Sequence, residues 1–541
     1  MKNLFLDMKK VLSYPFTKNL SFFLLLFMFS TIVFSINIIV NSNLYECIYA
    51  TFFRFLQCYI LCLFIPLWGR FKNIFKSILI LLVGMNFFGD ILMFAIGEVR
   101  FNFLSGVVLG TNLNEAIEFI LSTLTIKHYF ILIIIILSFY FLSKYTPKIL
   151  SSLKLRLLLG YTILLISIPT VAVNRGNWIT ESTFLGKYFI LYSDYSYFNH
   201  DLEDYLSKPK LSFAKDSLPD NVVVIIGESF SKHFSSLYGY KKNTNPRLQT
   251  LTPENLCLFN NVKSYSTQTQ FCLQSIMSSL SSREPDKDWF RCITLPEILS
   301  ILDYKTYWIS NQFEQGLCDN VTTKYAHLCD SSCFVGLKHA VGVNPYPDEI
   351  VLPTLKEISN RDSSKKVVFV HLYGSHPKFS ARYPLDRTYF KDSDYLDFDK
   401  SQRKTRSEYD NAILYNDSVV YEIFDLFKEK NAIGFYFSDH GLDIYHTRKD
   451  YAAHGIKSDP ESVRISKDIP FMVYTTNRFK RTYPDLMDKI HKSVNRSFVT
   501  EDFMYSLMDI LGVHFADNDD VKKYSLFSQN KKNANAYTEK G

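Results

Sequence analysis

The sequence predicts two unlike parts in one chain, an N-terminal five-helix transmembrane bundle and a C-terminal α/β domain built on a mainly parallel sheet. Three observations predict it. Nearly all of the extreme apolarity lies before residue 175. Beyond residue 220, short apolar runs alternate with helical stretches. Lys and Arg are spread unevenly over the loops between the early apolar segments. The expected boundaries are 1–174 for the transmembrane domain, 175–220 for an amphipathic linker and 221–541 for the outer domain.

Five segments, 20–40, 44–68, 74–97, 128–142 and 155–173, are candidates to span a bilayer, since a hydrocarbon core of about 30 Å takes roughly 20 residues of helix. The fourth is short but uncharged. The second carries Arg54, which lipid tolerates poorly, so this residue is expected to face the bundle or a water-filled cleft. Lys2, Lys9, Lys10 and Lys18 precede the first segment; Arg70, Lys72 and Lys76 follow the second; Lys144, Lys148, Lys154 and Arg156 follow the fourth. The alternate loops are poor in such residues. Basic loops stay on the cytoplasmic side, which puts the amino terminus inside and everything after residue 175 outside. No cleavable signal peptide is needed, because the first segment is too long and lacks a small-residue cleavage site.

Cys257, Cys272, Cys292, Cys318, Cys329 and Cys333 then lie in an oxidising compartment, and up to three disulfides are expected. A zinc cluster of these cysteines is disfavoured, because paired C-x2-C units are missing. The stretch 175–220 starts aromatic ("YFILYSDYSYF") and turns polar. Its early part suits a membrane interface.

"NVVVIIG" (221–227), "KKVVFVHLYG" (365–374) and "NAIGFYFSDHG" (431–441) are continuous apolar runs, the pattern of strands covered on both faces. Helical stretches such as "VLPTLKEISN" lie between them, and this alternation argues an α/β domain. In such sheets ligands bind beyond the carboxyl ends of the strands. The first run ends in Glu228, the second reaches His371 and then His376, and the third ends in Asp439 and His440. Each alone is a routine surface polar group. Together they are the oxygen and nitrogen ligands that suit zinc, and a set with an open position serves hydrolysis or group transfer. A nucleophile could come from "KSYSTQTQFCLQSIMSSL", which offers Ser266, Thr267, Thr269 and Ser275. A hydroxyl at a helix start lies beside free amides that face a phosphate. Spacing does not choose among the four, or between them and plain helix capping.

The ordered set "VVVIIGES", "GYKKNTNPRL", "STQTQ", "HLYGSHPKFSARYP", "YDNAILYND" and "FSDHG" with a later "AHG" resembles the membrane-bound phosphoethanolamine transferases that modify lipopolysaccharide in the Gram-negative periplasm, members of the alkaline phosphatase and sulfatase superfamily. The resemblance covers nearly the whole chain. It implies one or two Zn2+ held by Glu228, Thr269, Asp439 and His440, with Thr269 as the nucleophile. It matches His376 and His454 to residues that bind substrate, shuttle protons or hold a second zinc. "LGTNLNEAIEF" resembles the donor-lipid segment, placing Thr111 and Glu115, with Glu118 assisting, at the ethanolamine of phosphatidylethanolamine, where a carboxylate would pair with an ammonium. The implied acceptor is lipid A or core oligosaccharide, and the implied location is the bacterial inner membrane, multi-pass, with a periplasmic catalytic domain.

Three departures bear on the acceptor. Glu228-Ser229-Phe230-Ser231-Lys232 stands where many members have Thr and then Arg, Val107 where relatives often have Asn, and no lysine is evident near "WISNQFEQGLCDN". The nearest rival is a phosphoglycerol transferase of the lipoteichoic type, against which "RYP", "YDN" and Glu115 favour ethanolamine. A sulfatase is disfavoured, because no C-x-P-x-R or S-x-P-x-R stretch is present. A receptor or transporter would use buried charge along its spans, which carry little beyond Arg54, Glu46 and Asp90. Nucleic-acid binding is not expected, since loop topology accounts for the basic residues.

Overall fold

The computed structural model describes residues 2–41, 44–64, 71–95, 126–144, 184–213, 219–314, 321–336, 347–361, 365–447, 452–453 and 459–528, with a few single positions between them. Thr111, Glu115, Glu118 and His454 lie outside the described residues, as does Cys318. The chain divides into two compact units, the second continuing from Phe198.

The first unit contains α1 (Leu20–Asn41), α2 (Leu44–Phe64), α3 (Lys72–Ala95), α4 (Ile126–Lys144) and α5 (Phe184–Phe198). Among the described residues three helices are long and apolar enough to cross a membrane, over Leu20–Val40, Leu44–Leu63 and Lys76–Ala95. The fourth expected span coincides with α4, and the fifth, 155–173, falls almost entirely outside the described residues. Phe22, Phe23 and Leu26 of α1 pack on Cys58 and Cys62 of α2 and on Leu79 and Val83 of α3. On another face of α1, Leu24, Met28, Ile32 and Ile36 recur every four residues and stay exposed. An apolar stripe turned outward is what a lipid-facing helix needs. Arg54 points inward, as expected, and is fully buried against Asp90 of α3. Within the expected linker, α5 belongs to this first unit up to Tyr197.

The second unit is built on seven strands, β1 (Asn221–Gly227), β2 (Leu256–Leu258), β3 (Lys305–Ser310), β4 (Ser331–Phe334), β5 (Lys366–His371), β6 (Ala432–Ser438) and β7 (Phe471–Thr475). Their order is β2-β7-β6-β1-β5-β3-β4. The five strands from β6 to β4 run parallel, while β7 is antiparallel to both β6 and β2, so the sheet is mixed around a parallel centre. All residues of β1, β5 and β6 are buried, which is why these runs lack the alternation of a half-exposed strand. The 26-residue helix α7 (Lys400–Asp425) starts at Asp399, whose carboxylate accepts from the Ser401 and Gln402 amides. Its Ile413, Val420 and Ile423 join Val223, Ile225 and Tyr436 in the core.

Among the described residues the disulfides expected from the outer cysteines do not form. Cys257, Cys272, Cys292, Cys329 and Cys333 are all free thiols. Cys257 on β2 and Cys333 on β4 occupy opposite edges of the sheet, about 29 Å apart at the usual strand spacing. Cys272, Cys292 and Cys329 turn to carbonyls of their own segments, those of Ser266, Asp288 and Tyr325.

Several motifs behind the family resemblance do architectural work. Asp417 of α7 accepts the Arg247 and Leu248 amides that open the short helix Pro246–Gln249. Asp410 receives the hydroxyls of Tyr240 and Tyr395. Asn411 binds the backbone of Tyr389 and Phe390. Arg382 of "RYP" holds the His376 and Pro377 carbonyls. These contacts shape loops, so "YDN" and "RYP" do not by themselves favour ethanolamine over glycerol.

Candidate active site

Strand register brings the acidic residues together. Gly227 of β1 pairs with Ser438 of β6, so Glu228 and Asp439 are the next residues along adjacent parallel strands, one strand spacing of about 4.8 Å apart. The Asp439 amide donates to the Gly227 carbonyl at 3.0 Å, prolonging the ladder by one bond. The third ligand follows at once, since His440 turns back with its Nε2 3.3 Å from Glu228 Oε1 and 3.5 Å from Asp439 Oδ2. His440 Nδ1 lies 3.0 Å from the Gly441 carbonyl and is its natural donor. That bond assigns the ring proton to Nδ1 and turns the Nε2 lone pair toward the carboxylates.

Thr269 is the first residue of α6 (Thr269–Met277). Its Oγ1 lies 3.1 Å from Glu228 Oε2 and 3.2 Å from His440 Nε2. The rest of α6 is rooted in the core, with Cys272, Leu273, Ile276 and Met277 fully buried. Of the other three candidate hydroxyls, two are engaged elsewhere, Ser266 with the Gln268 amide and Ser275 with the Cys272 carbonyl. Geometry thus separates Thr269 from its neighbours where spacing did not.

Backbone shape around Glu228 is demanding. Ser229 adopts φ +60°, uncommon for a residue with a side chain, and its hydroxyl donates to Glu228 Oε1 at 2.7 Å. Gly374 has φ +53°, and a Cβ there would meet the Glu228 backbone nitrogen and oxygen at 2.7 Å. Next to it, Ser375 donates both its amide and its hydroxyl to the Glu228 carbonyl. Asp348 holds this loop from below by accepting the Tyr373 and Gly374 amides, each at 2.8 Å. Gln312, just past β3, reaches Glu228 Oε2 at 3.4 Å. Sequence reading missed Ser229, Asp348, Gly374 and Gln312. Only the first carried a signal, as the residue directly after Glu228.

His376 sits half-buried on the segment that follows β5, its ring edge-on to Tyr373. His371, one strand residue before the end of the sheet, pairs in register with Ile226 and Ser310. It is fully buried beside Trp308, with Nδ1 3.4 Å from the Ser310 hydroxyl, and burial pushes its pKa down to about 3. It is a neutral core residue.

Glu228, Asp439 and His440 offer three ligand atoms within 4.8 Å of one another, all three residues buried. Burial, and then the charge of Asp439, holds the Glu228 carboxyl well above its ordinary range; burial does the same for Asp439. Asp439 Oδ2 is buried and accepts no hydrogen bond among the described residues. Two carboxylates and an imidazole this close call for a cation. With the Thr269 oxygen they form a four-membered oxygen and nitrogen set that fits zinc.

A strand-end carboxylate pair, a turned histidine and a helix-start threonine on such a sheet define the class. The chain belongs to the Sulfatase family, whose pattern matches residues 220–513. Among relatives, it is 30% identical over 327 residues to the phosphoethanolamine transferase EptC of Escherichia coli strain K12, a match covering 58% of this chain and 55% of that one. The chain spans about half the length of the curated relatives it matches first. The C-terminal periplasmic domain of EcEptC from Escherichia coli, solved in complex with Zn, matches with TM-score 0.54 and 27% identity over 60% of this chain and 90% of that one. The integral membrane protein lipooligosaccharide phosphoethanolamine transferase A (EptA) from Neisseria meningitidis shares the fold over 92% of this chain and 96% of its own, with TM-score 0.66 and 17% identity.

Proposed function

We propose that this chain is a zinc-dependent phosphoethanolamine transferase of the bacterial inner membrane, moving phosphoethanolamine from phosphatidylethanolamine to lipid A or core oligosaccharide through a phospho-threonine intermediate. The observation that carries the reading is the Thr269 hydroxyl, 3.1 Å from Glu228 and 3.2 Å from His440 at the start of α6. Relatives named phosphoethanolamine transferases add support.

One or two zinc ions held by Glu228, Asp439, His440 and the Thr269 oxygen would supply the positive charge that acidifies the hydroxyl and offsets charge on the phosphate. The hydroxyl proton is directed at Glu228 Oε2. Thr269 Oγ1 then bonds to the donor's phosphorus while the bond from phosphorus to the glycerol oxygen breaks. Diacylglycerol leaves with a proton delivered by His376 or His454. In the second step an oxygen of the acceptor bonds to the same phosphorus, the bond to Oγ1 breaks, and Thr269 regains a proton. The free amides at the start of α6 face the phosphate in both steps. Thr111 and Glu115 bind the donor's ammonium group. The amino terminus lies in the cytoplasm and the catalytic domain in the periplasm, where both lipids are within reach.

Mass spectrometry of lipid A and core oligosaccharide from cells carrying the wild-type chain or Thr269→Ala tests this reading. A phosphoethanolamine increment with the wild type alone is expected. A phosphoglycerol increment would instead favour the lipoteichoic type of chemistry. An increment that survives Thr269→Ala and vanishes with Thr267→Ala would reassign the nucleophile.

A further inference from the structure

In the first unit one carboxylate ties several helices together. Asp90 of α3 takes both guanidinium nitrogens of Arg54 on α2, Nη1 to Oδ2 at 2.5 Å and Nη2 to Oδ1 at 2.9 Å. Arg54 also donates to the Ser30 carbonyl of α1, and its guanidinium lies 3.7 Å from the centre of the Phe34 ring. Lys187 of α5 donates to the same Asp90 carboxylate and lies over the same ring. Arg54, Asp90 and Lys187 are all buried.

The second observation concerns α5 itself. Among the described side chains of this 15-residue helix only Lys187 and Ile190 are buried. Tyr192, Tyr195 and Tyr197 are exposed. The described polar tie of α5 to the other helices is the buried Lys187–Asp90 ion pair, and losing one partner of a buried pair is strongly destabilising. The chain passes from α5 into the second unit at Phe198.

We infer that Lys187 is a positioning residue: its bond to Asp90, itself clamped by Arg54, fastens α5 to the membrane helices and fixes the point from which the chain leaves them, so that the catalytic unit works on lipid-borne substrate. The activity half of this inference rests on the proposed function; the structural half does not. Lys187→Met should release α5 and leave Arg54 and Asp90 as a balanced pair, whereas Lys187→Arg should keep α5 in place.

The test uses the full chain in phosphatidylethanolamine-containing nanodiscs and has two readouts. Amide hydrogen exchange of 184–198 should be slow in the wild type and in Lys187→Arg. It should be about 100-fold faster in Lys187→Met, the scale expected for losing one partner of a buried pair, while α2 and α3 peptides stay unchanged and report an intact fold. Diacylglycerol release from the bilayer donor should fall at least about tenfold in Lys187→Met, while hydrolysis of a small water-soluble phosphodiester stays at the wild-type rate. Unchanged exchange in Lys187→Met would overturn the joint. Faster exchange with undiminished diacylglycerol release would overturn its positioning role. If the wild type released no diacylglycerol, the transferase reading would fail, and the exchange data would still decide whether the joint exists.

Discussion

Two buried histidines occupy the same end of one sheet and behave in opposite ways. His440 follows β6 and meets Glu228, Asp439 and Thr269. His371 ends β5, meets Trp308 and Ser310, and stays neutral. Both are fully buried, and both close an apolar run followed by a polar loop. Three residues of register separate them: His371 is level with Ile226, as is Phe437, and is still within the ladder, whereas His440 lies two residues beyond Ser438, the partner of Gly227. A histidine past the last ladder rung can turn across the strand ends. One within it is packed.

The largest effect should come from the charged side of this comparison. Thr269→Ala is expected to cut transfer by about 10³-fold or more, the scale seen when a covalent nucleophile is removed, and to weaken zinc binding as well, since it removes one of the four ligand atoms. Headgroup-release assays with metal analysis would check it. Transfer persisting near the wild-type rate would move the chemistry away from His440.

Next comes metal removal. Dialysis against a chelator should abolish transfer and lower the melting temperature of the second unit, because a ligand that binds only the folded state stabilises it, by about 4 kcal/mol at a thousandfold excess over Kd. Zinc should restore both. Glu228→Gln should weaken zinc binding, while His371→Leu should leave it intact. Equal zinc loss in the two variants would erase the distinction between the histidines.

Gly374→Ala should cost about 1–3 kcal/mol, since it forces a side chain into a positive-φ position against the Glu228 backbone. Chemical denaturation and zinc titration would show whether stability and metal affinity fall together.

A smaller effect lies in the pH dependence of His371. An unfolded histidine titrates near 6.5, while burial holds this one neutral down to about 3. Between those values the unfolded chain binds the extra proton, so His371 makes stability fall as pH is lowered, by at most about 1.4 kcal/mol per pH unit. The contribution is fully present above 6.5. Unfolding of His371→Leu between pH 4 and 7 should show a shallower slope than wild type. Identical slopes would mean His371 is not held neutral. Smallest of all, Thr267→Ala should change transfer by less than about twofold, since Thr269 is the hydroxyl in that stretch that meets Glu228.

Much of the candidate metal site could be read from the chain, because a strand covered on both faces announces itself as an unbroken apolar run and its carboxyl end is a place for ligands. Glu228, Asp439 and His440 followed from that rule, and Thr269 from the family resemblance. The rule does not tell a residue on the last rung from one just past it, so His371 looked equivalent to His440 until the register was known. The cysteine expectation failed for a related reason: counting thiols says nothing about which edge of a sheet each one occupies. Gln312 and Gly374 act on Glu228 across gaps of more than 80 residues, and Asp348 acts through Gly374, contacts that no local pattern encodes.

The helix that begins at Thr269 is rooted in the core through Cys272, Leu273, Ile276 and Met277. On the proposed reading the attacking oxygen is then as immobile as the sheet it faces, and adaptation to a bulky lipid-borne acceptor would come from the surrounding loops. An inhibitor should accordingly gain more from a rigid tetrahedral warhead matched to that stationary oxygen than from flexible tails, because the warhead's seat does not reshape to meet it.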